Sequence, residues 1–158
     1  MGRPGVSAIL LVMVGLVLAA GGAWAQVTVI TDVFELQDMN NGLAGDYELG
    51  NDIFATQTIS WNGGAGFVPI GRTSTPFTGT LDGKGHTIHG LYINRSNTDR
   101  LGLFGVISTG ADVSNVALAR VDITGKVGTG ALAAYNYGTI TNCNVTGSVT
   151  GSGYCGGF

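Results

Sequence analysis

Short apolar–polar alternations, each ended by a turn, follow one another along most of this chain, and a single helical spacing comes after the first of them. Gln26 to Ile30 (QVTVI) alternates as a first strand. Asp32 then stands three residues ahead of Glu35, the spacing of a capping box, with Val33, Leu36 and Met39 at helical intervals. Asn40-Asn41-Gly42 closes that run. The pattern predicts one amphipathic helix of about two to three turns and no comparable helix after it. Tyr47-Glu48-Leu49 and Asp52-Ile53-Phe54 read as strands around Gly50-Asn51, and Trp61 to Gly66 reads as a flexible loop before Phe67-Val68-Pro69-Ile70-Gly71. Phe77 to Ile88 alternates again, with a turn at Asp82-Gly83-Lys84-Gly85.

From Ile88 onward the alternation recurs in register. Ile88-His89-Gly90-Leu91-Tyr92-Ile93 aligns with Val113-Ser114-Asn115-Val116-Ala117-Leu118, 25 residues on, and with Ile140-Thr141-Asn142-Cys143-Asn144-Val145, a further 27 on. Apolar residues coincide at the first, fourth and sixth places, and the third holds Gly90, Asn115 and Asn142, residues suited to a bend between strands. A second set, Gly102-Leu103-Phe104, Gly130-Ala131-Leu132 and Gly156-Gly157-Phe158, repeats at 28 and 26 residues. Two columns of nearly equal period mark stacked structural units. One unit cannot bury its own apolar residues, whereas stacked units place like over like. The expectation is an all-β chain, a parallel β-helix (a solenoid of the pectate-lyase-like kind) with one short N-terminal helix as a cap. Ile140, Cys143 and Val145 form an inward core column in this register.

Composition adds an address. Arg3 and the apolar run Ala8 to Ala20, followed by Ala23-Trp24-Ala25, have the form of a secretory signal peptide cut between Ala25 and Gln26. The organisation expected is therefore a signal peptide over 1–25, a cap with first strands over 26–60, and stacked repeat units over 61–158. Residues 26–158 hold six basic and ten acidic residues, a net charge of −4, scattered singly. Nothing in that distribution recruits nucleic acid, and nothing in the mature chain reads as a membrane span. Those residues include 23 glycines, far above the usual share of about 7 % and in keeping with many turns.

The stretch Gly130 to Cys143 (GALAAYNYGTITNC) resembles the GLUG repeat, roughly Gly-Gly-Leu-Val-Gly followed by Asn-x-Gly-Thr-Ile-x-Asn-Cys, and Phe67–Gly71 with Phe77–Leu91 resembles its usual lead-in. Ala131 and Ala134 stand where that family has glycines, and the copy at Leu103 is degenerate. The resemblance implies a bacterial secreted or surface-attached protein, folded as a parallel β-helix, that is adhesin-like or an accessory region of a larger surface protein or protease. Gly156-Gly157-Phe158 opens another repeat, so the expectation is a fragment or a chain whose end a partner covers.

Candidate chemistry is sparse. His86 and His89 form His-x-x-His without the glutamate of a zinc protease, and on a strand residues three apart face opposite ways, so the two are expected not to share a metal unless the turn at Gly85 reorients His86. Asn97-Thr98-Asp99 matches one motif of the polygalacturonase kind, but no Asp-Asp pair or Gly-His-Gly accompanies it, and glycoside hydrolysis needs a second carboxyl group held nearby. The Gly-rich pieces at Lys84 and Lys126 lack phosphate-loop spacing. No catalytic residue, metal or cofactor is therefore expected. Tyr135 and Tyr137 share a face if extended and are the candidates for stacking on a ligand, a cell-surface or extracellular glycan or protein. Cys143 and Cys155 leave one disulfide open as an alternative to two free thiols. The functional expectation is a non-catalytic secreted or cell-surface repeat module, adhesin-like in role. The alternatives are a carbohydrate-active β-helix lyase or hydrolase, or an accessory region of a larger surface protease.

Overall fold

The computed structural model describes residues 26–157; the expected signal peptide lies outside them. Strands dominate, in the order β1 (Val27–Ile30), β2 (Asp46–Leu49), β3 (Ile53–Phe54), β4 (Thr80–Asp82), β5 (Thr87–His89), β6 (Tyr92–Asn94) and β7 (Phe104–Ile107). They continue with β8 (Asp112–Ser114), β9 (Ala117–Thr124), β10 (Val127–Gly130), β11 (Ala133–Asn136), β12 (Thr139–Thr141), β13 (Asn144–Thr150) and β14 (Gly153–Gly156). Every pairing between these strands is parallel.

One sheet runs β1-β2-β4-β8-β12, a second runs β13-β9-β5-β3 with β6 beside β9, and the pairs β11–β7 and β10–β14 complete the set. The chain visits these sheets in a recurring order, so each strand lies beside the one laid down a circuit earlier. Parallel strands cannot be joined by a tight hairpin, and here the connection is the circuit itself. The arrangement is a curled parallel sheet about one core.

Its interior is made of like residues in register. Tyr47, Leu81, Val113 and Ile140 align in one column; Ile53, Ile88, Leu118 and Val145 in a second; Ile93, Ile123 and Val149 in a third. Leu81, Val113, Ile88, Leu118, Ile93 and Ile123 are buried, and each such side chain contributes roughly 1.5–3 kcal/mol over its exposed state. Phe67, Phe77 and Phe104 fill the remaining side, with Phe77 and Phe104 ring centroids 4.9 Å apart.

The columns correct part of the sequence register. Val113/Ile140 and Leu118/Val145 pair as the 27-residue spacing requires, but the partner of Val113 on the other side is Leu81, and Ile88 pairs with Leu118. Gly83 to Gly85 lengthen that turn, so a matching apolar pattern displaced along the chain imitated the true one. Leu91 accordingly leaves the column of Val116 and Cys143 and lies beside Val121, where its carbonyl accepts from Asp122 N. In the second set Gly130 pairs with Gly156 as expected, whereas Phe104 pairs with Ala133 instead of Leu132, a slip of one residue. Ile140, Cys143 and Val145 do pack against the core, half-buried.

The helix forms where its capping signal stands. α1 (Val33–Asp38) begins at Asp32, whose carboxylate accepts from Phe34 N at 2.8 Å and Glu35 N at 2.9 Å, and it tightens into a 3-10 turn over Met39–Asn41. Glu35 reaches back one residue further than a standard capping box, accepting from Thr31 N at 2.7 Å. Val33, Leu36 and Met39 enter the core, while Gln37 exchanges two bonds with the Val68 backbone and Asn40 accepts from Gly71 N. The segment Thr56–Gly64, partly read as loop, is 3-10 in character with a kink at Trp61–Gly63.

Candidate ligand-binding groove

Tyr135 lies on β11, opposite Val106 of β7, and Tyr137 follows where Asn136 turns the chain by accepting from Gly138 N at 3.0 Å. Tyr137 N donates to Ile107 O at 2.9 Å, which holds the turn against the preceding circuit. The expectation of a shared face applies to an extended segment, and here the chain turns after Asn136, yet both tyrosines border the same hollow. They line one concavity of about 240 Å³ together with Thr73, Pro76, Arg100, Val106 and Ser108.

The rings are not equivalent. Arg100 Cζ sits 5.2 Å from the centroid of Tyr135, so a guanidinium already covers one face of that half-buried ring. Tyr137, 64 % exposed, keeps its surface open. Of the two expected stacking residues, Tyr137 leaves its ring exposed, whereas Tyr135 lies under Arg100.

Arg100 is held from several sides. Its backbone occupies the left-handed region (φ 62), its N donates to Val127 O at 2.9 Å, and its Nη1 donates to Thr73 Oγ1 at 3.0 Å. Thr73 is positioned by the turn in which Arg72 and Thr75 exchange two backbone bonds. Arg100 also borders a second concavity of about 250 Å³, where Arg72, Arg95, Thr98 and Asp99 meet. Arg95 donates from Nη2 to Gly66 O at 3.4 Å, and its Nε is buried without a partner. Among the described residues none of the three arginines forms a salt bridge. Tyr135 also borders a larger hollow of about 500 Å³, lined by residues of β10, β11 and β14, Tyr154 and Cys155 among them.

These arginines escaped the sequence reading. Thr73, Arg100 and Tyr135 are far apart in the chain, and only the circuit length brings them together. A usable signal did exist, since Arg72, Arg95 and Arg100 are half of the six basic residues after Arg3.

The remaining candidates resolve differently. His86 and His89 do approach one group, with His86 Nδ1 3.4 Å and His89 Nε2 3.8 Å from the two oxygens of Asp52. His86 precedes β5 in the turn after Gly85, so the strand rule that would part them does not apply. Asp52 is held below its ordinary value, first by the Thr87 N–H at 2.9 Å and then by the hydrogen bond and charges of the histidines. Among the described residues no cluster of three or more histidine, cysteine or acidic groups is placed to hold a metal ion. Asp99 accepts from Val127 N at 3.2 Å and ties two circuits together. Asp82 accepts from Lys84 N and from Asn115 Nδ2. Cys143 and Cys155 are both free thiols, and burial pushes the Cys143 thiol up. Among the described residues no helix is long and apolar enough to cross a membrane.

Over 134 residues, 82 % of its length, the chain is 40 % identical to halomucin of Haloquadratum walsbyi, of which it covers 2 %. It is 34 % identical to the immunoglobulin A1 protease of Streptococcus sanguinis over 125 residues, 78 % of this chain and 6 % of that protein. The chain thus spans only a small fraction of these relatives. No solved structure matches it. Residues 25–147 match the family described as the M26 IgA1-specific metallo-endopeptidase N-terminal region, and the chain belongs to that family.

Proposed function

We propose that this chain is a non-catalytic accessory module of a larger secreted or cell-surface protein, built as a parallel β-helix whose later circuits carry GLUG-like repeats. The observation that carries the reading is the family match, which falls on an N-terminal region and covers residues 25–147. The in-register columns Leu81-Val113-Ile140 and Ile88-Leu118-Val145 support the β-helix, since like residues stacked at a circuit's spacing are what such a fold requires. An adhesin-like role, with an extracellular glycan or protein as partner, is supported by the exposed concavities on the stacked sheets. The signal-peptide pattern over 1–25 supports export.

Two assays bear on this. The purified chain, incubated with a panel of polysaccharides and with immunoglobulin A1, is expected to release no new reducing ends and to cut no peptide bond. Sugar release abolished by Asp99→Asn would instead establish the carbohydrate-active alternative. Amino-terminal sequencing of the exported protein is expected to begin at Gln26, and a retained Met1 would overturn cleavage after Ala25; recovery of the chain only inside the cell would overturn the export reading.

A further inference from the structure

We propose that the paired concavities around Arg100 form a binding site for an acidic oligosaccharide, with the guanidinium taking the sugar's anionic group and Tyr137 its ring. This deepens the binding role proposed above and rests on that reading. Arg100 lies over Tyr135 at 5.2 Å and is fixed by Thr73 Oγ1 at 3.0 Å, so its planar fork is oriented before any ligand arrives. A guanidinium held in this way suits a carboxylate or sulfate, which accepts two parallel N–H bonds. Tyr137 stands on the same face with its ring open, and an aromatic surface suits the C–H face of a pyranose.

The charge is unusual for this protein. Residues 26–158 carry net −4, yet Arg72, Arg95 and Arg100 line the second concavity against the single carboxylate of Asp99. Each concavity falls below the roughly 300 Å³ at which drug-sized pockets begin, which fits successive sugar units better than one large molecule.

Calorimetric titration of the purified chain with tetragalacturonate, a persulfated tetrasaccharide and maltotetraose tests the site. The expected result is that at least one charged oligosaccharide binds, about tenfold or more tighter than the neutral one, and weakens as salt is raised. The tighter of the two charged ligands identifies the anion as carboxylate or sulfate. Arg100→Gly keeps the left-handed backbone accessible and is expected to lower that affinity about tenfold or more. Tyr137→Ala is expected to lower it about two- to tenfold. A melting temperature within a few degrees of the parent shows that each variant is folded. Equal binding of maltotetraose, no binding of either charged ligand, or unchanged affinity in folded Arg100→Gly would overturn the site and leave the accessory-module reading standing. Cleavage of a bound oligosaccharide would overturn the non-catalytic reading and leave the site standing.

Discussion

Asn115 shows how much one residue carries at a bend. Its φ of 56 lies in the left-handed region, its Nδ2 donates to Asp82 Oδ1 at 2.9 Å, and its Oδ1 accepts from Asn142 Nδ2 at 2.8 Å. Asn142 bends the next circuit at φ 53, so a polar ladder Asp82-Asn115-Asn142 runs beside the apolar columns. Asparagine is among the few residues tolerated there, because its short amide bonds locally. Asn115→Ala loses both side-chain bonds and meets the full backbone penalty, and is expected to lower stability by about 1–3 kcal/mol in urea unfolding. Asn115→Gly relieves the backbone penalty alone and should fall between that variant and the parent.

Asp52 gives a pH prediction at the same scale. Its carboxyl is lowered in the folded state, chiefly by the Thr87 N–H and then by the histidines. The stability it supplies is therefore fully present above the ordinary carboxylate range and is lost as pH falls through the folded value. Asp52→Asn is expected to lower the melting temperature at pH 6, with the gap to the parent closing as the pH is brought to about 3 and below. A gap independent of pH would show that the carboxylate's charge is not what matters.

At the scale of elements, α1 and the turns between strands follow from local rules, and two substitutions test them. Asp32 caps two backbone donors of a helix only six residues long, so Asp32→Ala is expected to cost about 1 kcal/mol, read from the urea midpoint at unchanged slope. Gly79 enters β4 where a Cβ would fall on the Gly45 carbonyl of the preceding circuit. Gly79→Ala should therefore destabilise by about 1–3 kcal/mol through overpacking, although glycine-to-alanine changes in open backbone commonly stabilise. The helix was legible because its start signal and its spacing lie within a few residues. The 3-10 segment Thr56–Gly64 was not, because it carries no helical spacing and is tied down by its neighbours, with Thr58 Oγ1 accepting from Tyr92 N at 3.0 Å.

For the whole molecule, the stacking of circuits makes the core continuous. Phe104 lies between Phe77 and the Ala133 strand, fully buried. Phe104→Ala is expected to cost about 3–5 kcal/mol, a large share of the roughly 5–15 kcal/mol that a domain has in hand. The measurement is thermal unfolding followed by circular dichroism, and a loss below 1 kcal/mol would show that the circuits repack around the gap.

The apolar alternations, the Gly and Asn turns and the 27-residue spacing of the last circuits determined by themselves that the chain is built of short stacked strands and that a capped helix follows the first of them. These are local or periodic properties, and local or periodic signals survive in a sequence. The tertiary structure alone decided that Ile88 sits beside Leu118, because two turns of different length can carry the same apolar pattern. It alone brought His86 and His89 to Asp52, through a turn that no strand rule describes. It also decided that Arg100 covers Tyr135 while Tyr137 stays open, since circuit length and the turn at Thr73 meet there and neither is written in any one stretch of residues.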